Sequence, residues 1–338
     1  MGKLRITGID IGHHSIKAVA LKSTHETHTL TGCYEVAVTP NVFSDNYTLN
    51  YQEIVKKLKE LRKGLPWLNR RVALSIPENA VITKVLQLER PSELNDESWQ
   101  IHDALQRQVT FPVQDVSLDF VPLTSDRLNY QVYAAKRDMV TQWIDTLKLA
   151  GFQPFYLTTE MQARLQLWQH ITSEAKRVWL VDVGLTRTLI CCGLPDHSVF
   201  TQTFSHSPLT SPLSPYSVAP TAGFTSEATI ITPERMSDGG TQAVDVDRWV
   251  EQFQREWRLF GSMYGDEWYD DERNAEIVLV GGGAYRVAQR AAQVLNQPCR
   301  VWAEFPNTAV MPAQHAAWAG AFSIALRAQQ WWRVKHAA

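Results

Sequence analysis

Residues 4 to 21, "LRITGIDIGHHSIKAVAL", alternate apolar and β-branched positions on both sides of the short polar break "GHHS", the pattern of a β-hairpin. A helix follows, with Tyr51, Ile54, Val55, Leu58 and Leu61 on one face and Lys56, Lys57, Lys59, Glu60, Arg62 and Lys63 on the other. "RVALSIPENAVITKVLQL" (71 to 88) predicts two strands broken at Pro77 and Asn79, and the next segment predicts a helix with Ser92 as N-cap. "FPVQDVSLDFVPL" and "YQVYAAKRDMVTQWIDTLKLAGFQP" predict strand, strand and helix, with Gly151 ending the helix.

The pattern then begins again. "VWLVDVGLTRTLICC" (178 to 192) predicts a second hairpin with an Asp-x-Gly at its turn, about half a chain after the first. Val246, Trp249, Val250, Phe253, Trp257 and Phe260 form an apolar stripe that reads as core rather than as a ligand box. "AEIVLVGGGAYRVAQRAAQVLNQPCRV" (275 to 301) predicts strand, triple-glycine turn and helix, and residues 315 to 332 a helix buried on one broad face. Two acid-bearing hairpins, one opening each half, predict a duplicated α/β chain: lobes over 1–170 and 171–338, a cleft between them, and an inserted subdomain near 85–155. The terminal helix is expected to pack back on the first lobe. The Ser-, Thr- and Pro-dense stretch 205–240 predicts a mobile loop, and the acidic tract 264–276 an exposed one.

Composition narrows the function classes. The 338 residues, 44% apolar, suffice for two ordinary cores. A formal charge of −2 with dispersed basic residues argues against DNA binding by the chain itself. Cys33, Cys191, Cys192 and Cys299 lack zinc spacing and read as reduced thiols of a cytoplasmic protein. No apolar run is long enough to span a membrane.

Candidate chemistry gathers at the turns. Asp10 at a strand end, with Gly12 allowing close approach and Lys17 nearby, can face a hydrated metal ion while turn N–H groups face phosphate; equally, an Asp there can cap its own turn. Gly281, Gly282 and Gly283 can admit a ligand to a helix N-terminus or satisfy the sterics of a tight turn. Neither a Walker A loop nor a complete G-x-G-x-x-G is found, and no nucleophile elbow surrounds Ser75 or Ser98. Joint metal ligation by the adjacent His13 and His14 is the weaker reading of that pair.

Two Asp-x-Gly hairpins followed by strand-GGG-helix, in that order, resemble the actin, sugar kinase and Hsp70 superfamily. "GIDIGHHSIKAV", "LSIPENAVITKVLQLERPSEL", "FPVQDVSLDFVPL", "YAAKRDMVTQWIDTLKLAGFQP", "WLVDVGLTRT", "IVLVGGGA" and "HAAWAGAFSIALR" resemble one branch, the PilM/HofM family of FtsA-related type IV pilus assembly proteins. The resemblance implies an actin-like fold of two lobes around a nucleotide cleft, with ATP and Mg²⁺ as cofactors. It implies that Asp10 and Asp182 hold Mg²⁺ through water, that Gly12, His13, His14, Ser15 and Lys17 line the phosphates, and that Asp182, Gly184, Thr186 and Thr188 close the other side. Gly281, Gly282 and Gly283 would face adenosine.

The implied role is an adaptor for pilus or competence-like pseudopilus assembly, serving DNA uptake or utilisation. It would sit at the inner membrane through the cytoplasmic N-terminus of a PilN/HofN-like protein, gripped beside the FtsA-like insert. The alternative is an ATP-dependent sugar-type kinase of the same fold. The chain departs from the family where the Ser/Pro-rich stretch replaces a Gly-Gly turn and nucleotide-reaching helix, with Gly239-Gly240 at its far end. Leu185 and Arg187 make the second phosphate turn bulky. Each buried hydrogen-bonded group lost costs about 1–3 kcal/mol, so nucleotide affinity is expected to be weak and the chain not to be an enzyme.

Overall fold

The computed structural model describes residues 4–23, 28–38, 51–89, 97–123, 127–171, 178–193, 199–206, 209, 239–264, 276–302 and 315–336. Ser92, most of the Ser/Pro-rich stretch and nearly all of the acidic tract lie outside the described residues.

The first half starts with the antiparallel strands β1 (Leu4–Ile11), β2 (Ser15–Ser23) and β3 (His28–Ala37). It continues through α1 (Tyr51–Gly64), β4 (Arg71–Ile76) and, after an insertion, α3 (Arg137–Leu149), β8 (Gln153–Thr159) and α4 (Glu160–Ile171). The second half repeats the plan with β9 (Val178–Val183), β10 (Arg187–Gly193), β11 (Val199–Ser205), α5 (Gly239–Tyr264), β12 (Glu276–Val280), α6 (Ala284–Leu295), β13 (Cys299–Val301) and α7 (Ala319–His336). The sheets are ordered β3-β2-β1-β4-β8 and β11-β10-β9-β12-β13. In each, three strands meander antiparallel and two join in parallel, so the halves share one topology. This is the duplicated actin-like α/β fold.

Side-chain alternation sorts each sheet into two faces. On the outer face of the first, Ile9, Ile11, Ile16 and Leu74 pack under Ile54, Leu58 and Leu61 of α1 and Trp143 and Leu147 of α3. On the outer face of the second, Trp179, Val181, Val183 and Ile190 meet Trp249, Phe253 and Trp257 of α5 and Val287 and Ala291 of α6. Trp249 stacks on Phe253 at 5.0 Å and Trp179 meets Trp257 at 4.1 Å, so the aromatic stripe is core, as its spacing predicts. α5 begins at Gly239, so the two glycines placed at the far end of the loop open this helix instead.

Between the sheets, α4 and α7 form a shared layer. Met161 and Leu165 of α4 and Ala321, Phe322, Ala325 and Leu326 of α7 pack with Val19 and Leu21 of the first sheet and Leu180, Leu189, Cys191, Val278 and Val280 of the second. Each large apolar side chain fully buried there contributes about 1.5–3 kcal/mol, and the core runs unbroken from one half to the other. The terminal helix α7 lies on β1, β2 and β4 of the first half.

The insertion is β5 (Val81–Gln87), α2 (Glu97–Gln106), β6 (Val116–Pro122) and β7 (Asn129–Lys136), a three-stranded antiparallel sheet ordered β5-β7-β6 with α2 on one face. It is narrower than the expected 85–155. α3 leaves it because Trp143 and Leu147 bury their faces in the first sheet's core. Gly151, at φ 87°, ends the turn after α3, a left-handed position that glycine takes without a Cβ clash.

Candidate functional site

Alternation decides where the acids point. Ile9 and Ile11 face α1 and α3, so Asp10 faces the layer between the sheets; Val181 and Val183 face α5 and α6, so Asp182 does the same. Both carboxylates meet one side chain. Arg164 of α4, 4% exposed, places Nη2 3.0 Å from Asp182 Oδ2 and 3.4 Å from Asp10 Oδ2. Its Nη1 donates to the Glu160 carbonyl at 2.8 Å. Glu160 in turn pairs with Arg187 of the second turn at 2.7 Å. Glu78, in the one-turn helix Glu78–Ala80 between β4 and β5, accepts the Met161 N–H at the start of α4.

Burial sets the protonation of this cluster. Desolvation raises the Asp10 carboxyl above its ordinary range, Arg164 opposes it, and Glu160 and Asp182 add to the rise. The Glu78 carboxyl is pushed up to about 7, first by burial and then by Glu160. His13 is pushed down to about 4 by burial and by Arg187, so the first turn feels the cation of the second. His14 is lowered by burial and by Lys17.

The two hairpin turns close on themselves. Gly12 donates its N–H to Ser15 O at 3.0 Å, and Gly184 donates to Arg187 O at 2.9 Å. Lys17 sits opposite Asp10 in the register, yet its Nζ donates to Ser15 Oγ at 2.8 Å and pairs with Glu35 at 3.2 Å. Thr186 stays at the second turn, where its carbonyl accepts the His206 N–H at 2.9 Å. Thr188 does not join the site. It pairs with Val183 rather than Asp182, lies on the opposite face of the sheet, and its buried Oγ1 accepts the Trp249 indole N–H at 2.7 Å.

The triple-glycine turn leans on the second hairpin. Gly281, at φ 93°, donates its N–H to Ala316 O at 2.9 Å, and Gly283 donates to Val183 O at 2.8 Å. A Cβ on Gly281 would stand 2.4 Å from Asp182 Oδ1, and one on Gly283 would stand 2.8 Å from both Leu209 Cδ1 and Val183 Cγ1. Only Gly282 would carry a Cβ into open space. Close packing accounts for two of the three glycines.

The structure therefore gathers Asp10 and Asp182 and brings the two turns around them, and it adds three charged residues that sequence reasoning did not put in the cleft, Glu78, Glu160 and Arg164, while Arg187, expected only to make the second turn bulky, pairs with Glu160. "EMQARLQLW" did carry a signal, since Arg164 lies among the apolar Met161, Ala163 and Leu165 with Glu160 one turn before it. A buried Arg is rare without a paired anion. Asp10 and Asp182 have the chemistry to hold a hydrated divalent ion, and such an ion between them would need the guanidinium to leave. Among the described residues no group of three or more His, Cys, Asp or Glu is arranged to hold a metal. None of the described helices is long and apolar enough to cross a membrane.

Comparison with known proteins follows the same lines. The family description "Type IV pilus assembly protein PilM" matches residues 8–210. A solved PilM-PilN type IV pilus biogenesis complex contains a chain 19% identical that superposes with a TM-score of 0.75, covering 96% of this chain and 99% of that one. The ethanolamine utilization protein EutJ from Carboxydothermus hydrogenoformans, 13% identical, covers 96% of this chain and 90% of its own with a TM-score of 0.47. No curated protein matches the sequence. With the family pattern spanning well over half its length and the duplicated actin-like fold beneath it, the chain belongs to the type IV pilus assembly protein PilM family.

Proposed function

We propose that this chain is an adaptor: an actin-like scaffold on the cytoplasmic side of the inner membrane that grips the short N-terminal segment of a PilN/HofN-like protein. The observation that carries the reading is the near-complete structural match to a PilM chain from a PilM-PilN complex, joined to family membership over residues 8–210. The inserted sheet supplies a surface for such a segment. Val85 on β5 and Val121 on β6 each pair with Gln131 of β7, so the three form one row on the face opposite α2. Both valines are exposed, and β5 and β6 are the edges of that sheet. An edge strand beside exposed apolar side chains suits a short extended peptide, which gains main-chain hydrogen bonds and side-chain pockets together.

The charge pairing in the cleft argues against turnover. Its acids are engaged by arginines: Asp10 and Asp182 by Arg164, and Glu160 by Arg187. A general base has to be within reach of a proton and able to take it, which a carboxylate held by guanidinium does poorly. The machine served is a type IV pilus or a related pseudopilus, with DNA uptake as the process, and the net charge of −2 argues for a role without direct DNA contact.

The test is fluorescence anisotropy with a labelled peptide copying the N-terminal segment of the PilN/HofN-like protein. Saturable binding is expected, weakened at least tenfold by Val85→Glu with Val121→Glu, about 1.4 kcal/mol. No binding by the wild-type chain at millimolar peptide, or unchanged binding by the double variant, overturns the reading.

A further inference from the structure

We infer that Arg164 is a resident counter-ion, standing between Asp10 and Asp182 in place of the divalent cation that the fold would otherwise take there, so that the cleft is closed by the chain itself. Three features of the geometry support this. The guanidinium lies within 3.4 Å of one carboxylate and 3.0 Å of the other, which places it across the two halves at the point where the acids converge. It is 4% exposed and rises from α4, the helix packed between both sheets, so its position is fixed by the shared core. The acids are also crowded against backbone: a Cβ on Gly320, in the first turn of α7, would stand 2.0 Å from Asp10 Oδ2 and 2.5 Å from Arg164 Nη2.

Electrostatics favour the same assignment. A guanidinium stays protonated at any pH a protein meets, so it cannot vacate the site by losing its charge. Displaced, it would be a buried cation without an anion, while Asp10 and Asp182 would exchange one cation for another. Arg187 fills the neighbouring position in the same way, turned onto Glu160 at 2.7 Å rather than into the space beside the second turn. With Lys17 held by Glu35, the positive groups around the cleft already have protein anions. This arrangement does not fit a hydrated magnesium ion, and no step of the proposed adaptor role depends on one.

Thermal unfolding of the full chain tests the inference, with and without 10 mM MgCl₂ and with and without ATP. The wild-type midpoint is expected to be indifferent to magnesium, alone or with ATP. Arg164→Ala is expected to melt lower and to recover on adding magnesium, because the ion enters the vacated place between the two carboxylates. Asp10→Asn combined with Arg164→Ala is expected to lose that recovery. Should Arg164→Ala fail to fold, the uncharged and longer Arg164→Met is measured in its place, with the same magnesium response expected. A wild-type midpoint raised by Mg·ATP and no longer raised in Asp10→Asn overturns the inference, as does a stable Arg164→Ala or Arg164→Met chain indifferent to magnesium. Peptide binding is a separate readout, so its failure is distinguishable from failure here.

Discussion

Trp249 donates its indole N–H to Thr188 Oγ1 at 2.7 Å, and this bond fastens α5 to the outer face of the second sheet. His206 Nε2 lies 3.0 Å from the same oxygen, so one hydroxyl serves two partners in a place closed to water. Thr188→Val keeps the shape and removes the acceptor. An orphaned buried donor costs about 1–3 kcal/mol, so urea unfolding is expected to show a loss in that range, and Thr188→Ser less than half of it. A loss below about 0.5 kcal/mol in Thr188→Val would mean that the bond is not formed in solution.

The first sheet and the terminal helix approach more closely than any side chain allows. A Cβ on Gly8 of β1 would stand 2.1 Å from the Ala321 carbonyl oxygen and 2.5 Å from the Ala325 nitrogen, both backbone atoms of α7. Neither can rotate aside, so Gly8→Ala has to lift the helix from the sheet. Overpacking of this kind costs about 3 kcal/mol. The check is chemical denaturation, with Gly12→Ala as the milder comparison because its added Cβ meets only Ser15 O at 3.2 Å.

Glu78 gives the chain a pH dependence of unusual sign. Its carboxyl is raised from about 4.5 to about 7 in the fold, so the folded state binds the extra proton between those values. Its stabilising effect is complete below about pH 4.5, falls as pH rises, and is gone above about 7. A shift of that size corresponds to about 3 kcal/mol. Glu78→Gln keeps an uncharged hydrogen-bonding amide, so it is expected to gain on the wild type as pH rises from 5 to 8. His13 works the other way: held down to about 4, its stabilising contribution is present above about pH 6.5 and lost as pH falls towards 4. Denaturant midpoints at pH 5 and 8 for Glu78→Gln and His13→Asn separate the two, and parallel pH profiles for all three chains would refute both assignments.

What the sequence disclosed was short-ranged. The hairpins around Asp10 and Asp182, the Trp249 to Trp257 stripe and the turn at Gly281 follow from periods of two and 3.6 and from glycine positions, all of which lie within about a dozen residues. Arg164 was out of reach because its partner Asp10 lies 154 residues away and the rotation of α4 is set by packing against both sheets. The boundary of the insert was misjudged for a similar reason, since an apolar stripe on α3 does not say which sheet it will cover. Thr188 is a different matter. Once the turn closes with Leu189 opposite Asp182, alternation already sends Thr188 to the far face, so carrying the pleat through the turn would have excluded it from the cleft.

The triple-glycine turn separates a steric need from a ligand's. Gly281 adopts φ 93°, and its added Cβ would strike Asp182 Oδ1 at 2.4 Å and the Val183 carbonyl at 2.5 Å; Gly282 has open space in that direction. Gly281→Ala therefore combines a left-handed backbone with a clash against a charged oxygen, and a loss of about 2–4 kcal/mol is expected. Gly282→Ala meets no atom, and its stability is expected to stay within about 0.5 kcal/mol of the wild type. If the turn serves only to pack against the second hairpin, Gly282→Ala also melts like the wild type with and without ATP. A wild-type chain stabilised by ATP, where an equally stable Gly282→Ala chain is not, would mean that a nucleotide approaches the backbone at that glycine, and the turn would have to be counted as part of a working site.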